Sequence, residues 1–222
     1  MMQEEKELEN QELLLKVELS ESIPELNGLV LVGGESSRMG KDKSTIEYHG
    51  LPQSDFMVNL MGNYVSKVYL SCHPDRVPQT NHPVITDTFL DLGPYGGVLS
   101  AFRHDPKVAW LVVACDLPML DDSILSQLMT ERDPSKVATC FHDPSTGAPE
   151  PLIAIWEPRA YPILLQFLSQ GFSNLRQSLI DTDSKQIHNV NAQALKNANT
   201  PEEVLKALQL LQEKDAGEMK IV

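Results

Sequence analysis

Two short segments of this chain carry residue types that suit phosphate chemistry. The first is Gly33-Gly34-Glu35-Ser36-Ser37-Arg38-Met39-Gly40-Lys41-Asp42-Lys43. Paired glycines let backbone N–H groups approach phosphate oxygens, the serines add donors, and Arg38 and Lys43 can neutralise a polyphosphate. A Gly-Gly pair by itself is more often a plain tight turn; the added Ser, Arg, Gly and Lys favour an anion loop. It is not a Walker A loop, because five residues separate Gly34 from Gly40 and Asp42 follows Lys41. Nor does it contain the G-x-G-x-x-G of dinucleotide-binding domains. The second segment is Cys115-Asp116-Leu117-Pro118, reached by an apolar run ending Leu111-Val112-Val113-Ala114. A carboxylate at the end of such a run can bind Mg2+, which uses one or two carboxylates and completes its shell with water and substrate phosphates. An isolated D-x-P is also an ordinary turn start, so Asp116 gains weight as a metal ligand from the glycine loop beside it. A third group, Asp87 with Asp91-Leu92-Gly93-Pro94-Tyr95-Gly96-Gly97, suits either a turn leading into a helix or backbone closing over a base or ribose.

These loops need a scaffold, and the pattern from Gly28 onward supplies one. Short β-branched runs, LVLV (29–32), KVYLSC (67–72), PVIT (83–86), VAWLVVAC (108–115), KVATCF (136–141) and PLIAIW (151–156), alternate with helical stretches at 54–64, 97–104, 122–130, 158–169, 174–180 and 201–211. That alternation predicts a mainly parallel sheet with helices on both faces, a three-layer α/β/α domain. Ligands of such sheets bind at the carboxyl ends of the strands, where the first and second segments fall. Asp121 or Asp122 is expected to cap one helix, and Thr200 another, with Pro201 at its first position and Glu203 at capping-box spacing. Residues 1–26 form an acidic extension that is either a docking segment or a solvated tail, 27–214 the domain, and 215–222 a C-terminal tail.

Composition removes several classes. A formal net charge of -13 excludes a nucleic-acid partner, which needs a surplus of Lys and Arg. No apolar run approaches the roughly 20 residues of a membrane helix, and the acidic start is unlike a secretory leader. Cys72, Cys115 and Cys140 lie far apart in or beside apolar runs and read as reduced, buried residues of a cytoplasmic protein. Neither a Ser-His-Asp nor a Cys-His arrangement is evident, and the six histidines are scattered without metal-pair spacing.

In order along the chain, L-x-G-G-x-S-x-R-M-G-x-D-K, D-x-G-P-x-G-G, C-D-L-P and N-x-N-T-P-E-E resemble the motifs of the molybdenum cofactor guanylyltransferase (MobA-like) family from about Gly28 to Leu211. The resemblance implies a Rossmann-like nucleotidyltransferase fold, GTP and molybdopterin as substrates, Mg2+ as cofactor, and contact with other molybdenum cofactor biosynthesis proteins. It further implies that Leu31, Gly33 and Gly34 line the guanine and ribose-phosphate pocket and that Arg38 and Lys43 contact the triphosphate. Asp87 would fix the nucleoside with Gly93, Gly96 and Gly97 alongside; Asp116 would ligand Mg2+; Asn197 or Asn199 would complete the site near the metal and acceptor. The Gly33-Gly34 pair points to GTP, since cytidylyltransferase relatives tend to carry Ala-Gly there. A cytidylyltransferase, a sugar-phosphate nucleotidyltransferase and an inactive nucleotide-binding module remain alternatives on the same fold. Residues 142–156 and 172–199 are where a pterin would be recognised.

Overall fold

The computed structural model describes residues 23–32 and 43–218. Its elements are β1 (Leu26–Leu31), α1 (Gln53–Met61), β2 (Val68–Cys72), β3 (Val84–Thr86), α2 (Pro94–His104), β4 (Ala109–Ala114) and α3 (Asp122–Thr130). There follow β5 (Ala138–Asp143), β6 (Ala148–Trp156), α4 (Ala160–Ser169), α5 (Leu175–Ile180), β7 (Lys185–Ile187) and α6 (Pro201–Glu218). Short 3-10 turns occur at Lys43–Thr45 and Pro74–Arg76.

The strands form one seven-stranded sheet in the order β3-β2-β1-β4-β6-β5-β7. β6 runs antiparallel to β4 and β5, and the other pairings are parallel. The carboxyl ends of β1, β2, β3, β4, β5 and β7 therefore share one edge. Central strands β1 and β4 are buried at every position and pair from Leu26↔Ala109 to Leu31↔Ala114, as strands covered on both faces do, and β4 is an unbroken apolar run.

Strand alternation divides the core. Val30, Leu111 and Val113 pack beneath α1 and α3 with Met57, Met61, Leu125 and Leu128. Leu29, Leu31, Trp110 and Val112 face α2, α4 and α5 with Tyr95, Phe102, Leu164 and Leu179. A smaller cluster joins α6 to the chain after the first 3-10 turn, with Tyr48 against Ala198 and Ala207. The edge opposite the strand ends is tied by a buried ion pair: Arg132 donates through Nε and Nη2 to the two carboxylate oxygens of Glu157 at 2.8 and 3.0 Å, and its Nη2 also reaches the Pro24 carbonyl at 3.0 Å.

The mainly parallel sheet with helices on both faces is as the pattern predicts, and several boundaries differ. β1 opens at Leu26 because Leu26 and Asn27 are buried against β4. α2 opens at Pro94 instead of Gly97, so Gly96 and Gly97 are helical and buried. β7 is an unforeseen strand, pairing Lys185–Ile187 with β5, and α6 continues to Glu218. Asp121 caps α3 through Ile124 N–H at 3.3 Å. The three cysteines are buried, and no described helix is long and apolar enough to cross a membrane.

Candidate active site

Leu31, Asp87 and Gly97 meet on one wall at the carboxyl ends of β1, β2 and β3. The backbone N–H of Asp87 extends the sheet by donating to the Cys72 carbonyl at 2.9 Å, and its carboxylate accepts from Ser71 Oγ at 2.9 Å. Burial pushes the Asp87 pKa up, although the Ser71 hydrogen bond and His73 pull the other way. A Cβ on Gly97 would lie 2.7 Å from Ser71 Oγ, 2.9 Å from Leu31 Cδ2 and 3.7 Å from Asp87 Oδ1. The glycine thus lets α2 seat against all three. Gly93 turns the chain into Pro94 at φ 54°, a conformation open to glycine without strain.

At Gly96 a Cβ would strike the backbone carbonyl oxygen of Phe89, which has no flexible end to yield. Gly96→Ala is therefore expected to destabilise the fold by about 1–3 kcal/mol and to displace the 87–93 loop. Urea unfolding together with a nucleotide-binding titration would check both effects.

Asp116 is held from several directions. Cys115 N–H donates to the Leu31 carbonyl at 3.2 Å, keeping β1 and β4 paired up to the edge. Asn197 Nδ2 donates to Asp116 Oδ1 at 2.8 Å, and Ala198 N–H donates to the Asp116 carbonyl at 2.8 Å. The segment delivering Asn197 is locked by the capping box of α6: Glu203 accepts from the backbone N–H groups of Asn199 and Thr200, and Glu203 N–H donates to Thr200 Oγ1. Of the two asparagines, Asn197 thus bonds the carboxylate, and the backbone of Asn199 serves the cap. Tyr48 is buried nearby, its phenol pushed up to about 12 by burial first and then by the charge of Asp116, so it stays protonated at neutral pH.

The next two carbonyls are bonded to the chain that follows the glycine loop. Gln53 Nε2 donates to the Leu117 carbonyl at 3.3 Å, and His49 Nε2 is 3.0 Å from the Pro118 carbonyl. A carbonyl only accepts, so His49 carries its proton on Nε2. Tyr48 and Ser71 had no signal in the sequence beyond their places beside a turn or a strand end. Gly33, Gly34, Arg38 and the side chain of Lys43 lie outside the described residues; the backbone of Lys43 opens the 3-10 turn that leads to Tyr48.

A second group occupies the same edge beyond β4. Glu150 on β6 is buried, accepts from Leu152 N–H at 2.9 Å and pairs with Arg176 of α5 at 3.0 Å. Burial raises its pKa, opposed by those two donors. The rings of His142 on β5 and His188 just after β7 lie 4.6 Å apart, and His142 Nδ1 meets Gln186 Oε1 at 2.9 Å.

The donor set suits a magnesium ion carried in with phosphate. Among the described residues no cluster of three or more His, Cys, Asp or Glu could hold a metal. A cation at Asp116 would complete its shell with water and phosphate oxygens, which is how Mg2+ is ordinarily bound beside nucleotides.

Residues 28–186 match the family model described as the MobA-like NTP transferase domain. A molybdenum cofactor biosynthesis bifunctional protein of Synechocystis sp. is 34% identical over 181 residues, covering 80% of this chain and 52% of that protein, so the chain spans about half of that relative. A probable molybdenum cofactor guanylyltransferase of Nostoc sp. is 31% identical over 186 residues, covering 81% of this chain and 88% of that protein. Among solved structures, the molybdopterin-guanine dinucleotide biosynthesis protein A of Archaeoglobus fulgidus superposes with a TM-score of 0.70 at 20% identity, covering 84% of this chain and 99% of that one, a likeness of fold.

Proposed function

The chain belongs to the MobA-like NTP transferase family, and from that premise we propose that it transfers GMP from GTP to the phosphate of molybdopterin, with Mg2+ bound at Asp116. The observation carrying this reading is the convergence, on one sheet edge, of the Leu31–Asp87–Gly97 wall and the Asp116–Asn197 pair. The names of the Synechocystis and Nostoc relatives support the acceptor and the nucleotide.

In the reaction an acceptor phosphate oxygen forms a bond to the α-phosphorus of GTP. The bond from that phosphorus to the α,β-bridging oxygen breaks, and pyrophosphate leaves with the electron pair. Mg2+, when bound, supplies positive charge to the reacting phosphates. Leu31 and Gly97 form an apolar side for the nucleoside, Asp87 accepts from its polar groups, and Gly33 and Gly34 offer backbone donors to the phosphates. Arg38 and Lys43 neutralise the triphosphate. Asn197 fixes the carboxylate of Asp116 in one rotamer. Positioning and charge carry such a displacement, with no protein nucleophile required. The acceptor lies along Glu150, Arg176, His142 and His188, on the other half of the edge.

The setting is cytoplasmic, which three buried cysteines widely spaced in the sequence suit. Contact with other proteins of molybdenum cofactor biosynthesis is part of the same proposal, supported by the bifunctional Synechocystis relative.

The test supplies Mg2+, molybdopterin and one nucleotide at a time, and follows pyrophosphate. Release with GTP and not with CTP, ATP or UTP is the expected result. Release with CTP would move the chain to a cytidylyl branch, and silence with all four would remove the reading.

A further inference from the structure

Gln53 is the first residue of α1, and its side chain is completely buried. Its Nε2 donates to the Leu117 carbonyl, and among the described residues its Oε1 has no hydrogen-bond partner. A buried amide left half satisfied lowers stability relative to an apolar side chain of similar size, because the orphan oxygen has given up water for nothing. Fold stability therefore does not account for glutamine at this position.

What the amide touches does account for it. Leu117 directly follows Asp116, and His49 holds the carbonyl of Pro118 one residue further on. The ring of His49 is in turn stacked on Phe56 of α1, with centroids 3.7 Å apart and planes 13° from parallel. Gln53 N–H bonds the Ile46 carbonyl at 2.9 Å, closing the turn that contains His49. The chain leaving the glycine loop is thus joined through Gln53 and His49 to consecutive carbonyls of the loop that carries the carboxylate.

We infer that Gln53 is a positioning residue for nucleotidyl transfer: by holding the Leu117 carbonyl it fixes the loop that carries the Asp116 carboxylate to the turn at 46–53, and it does so while lowering the stability of the fold. This rests on the reading of Asp116 as the cation ligand.

The test replaces Gln53 by Met, and in parallel by Leu, and compares both full-length variants with wild type and with Asp116→Asn. Urea unfolding gives stability, and electron paramagnetic resonance of Mn2+ in the presence of GTP gives cation affinity without turnover. The expected result is an unfolding midpoint equal to or above wild type with Mn2+ binding roughly 10-fold weaker, the size of effect seen when groups behind a metal ligand are removed. The half-saturating Mg2+ for pyrophosphate release rises with it, while KM for GTP stays within about twofold. A lowered midpoint, or Mn2+ affinity within about twofold of wild type in both variants, overturns the assignment. The parent reading fails separately, by Asp116→Asn binding Mn2+ as wild type does.

Discussion

Replacement of Asp116 by alanine is expected to lower pyrophosphate release by about 10²–10³-fold, the range that follows loss of one preorganised group acting on developing phosphate charge. The rate should fall at saturating GTP with little change in KM for the nucleotide. The base and ribose contacts assigned to Leu31, Asp87 and Gly97 are separate from the carboxylate, and the removed interaction acts mainly in the transition state. The fold should survive, since the main-chain bond from Ala198 to the carbonyl of residue 116 does not need the side chain. Asn197→Ala should give a milder loss of about 10-fold, because the carboxylate remains and only its orientation is released. Rapid-quench measurement of GTP consumption for the three proteins checks the order. A rate for Asp116→Ala equal to wild type would reduce this aspartate to a turn residue before Pro118.

On the opposite edge of the sheet, Arg132→Ala is expected to destabilise the protein by about 3–5 kcal/mol, as breaking one half of a buried ion pair does. Glu157 is wholly buried, and the arginine meets both of its oxygens. Without that partner the carboxylate is a desolvated charge, and the Pro24 carbonyl at the entry to β1 loses its donor as well. Arg132→Lys should recover only part of the loss, since one ammonium cannot reproduce the forked contact. Replacing both members by Met and Leu should recover most of it, because an apolar pair removes the desolvation penalty along with the attraction. Urea unfolding of the four proteins gives these differences. Cation affinity of the folded fraction should be unchanged in all of them, since the pair stands at the far end of the strands from Asp116.

The sheet was legible because its central strands are continuous apolar runs such as Ala109–Ala114, which no helical period explains. The strand β7 was not legible: Lys-Gln-Ile is too short and polar to signal a strand, and it is held in the sheet by the parallel ladder to β5. The pattern opens this helix at Gly97 and puts Gly96 in the turn before it, yet both glycines sit inside the first turn of α2. Their smallness answers to Phe89, Ser71 and Leu31, none of which is a near neighbour in sequence. In the same way Asp116 and Asn197 were each visible as candidates, while the bond between them was not, since it depends on how α6 returns across the sheet. The bonds of Gln53 and His49 to the carbonyls of Leu117 and Pro118 stayed hidden because contacts between residues so far apart in sequence leave no periodic trace.

That return of the chain has a consequence for biosynthesis. Residues of β1 through β4 leave the ribosome well before Asn197, because a chain is made from its N-terminus. Until the last stretch emerges, the carboxylate of Asp116 has no amide to orient it and Tyr48 has neither Ala198 nor Ala207 to cover it. A prematurely ended chain that lacks Asn197 therefore lacks the amide that orients the Asp116 carboxylate. That bond and the cover over Tyr48 form late, once α6 has returned across the sheet.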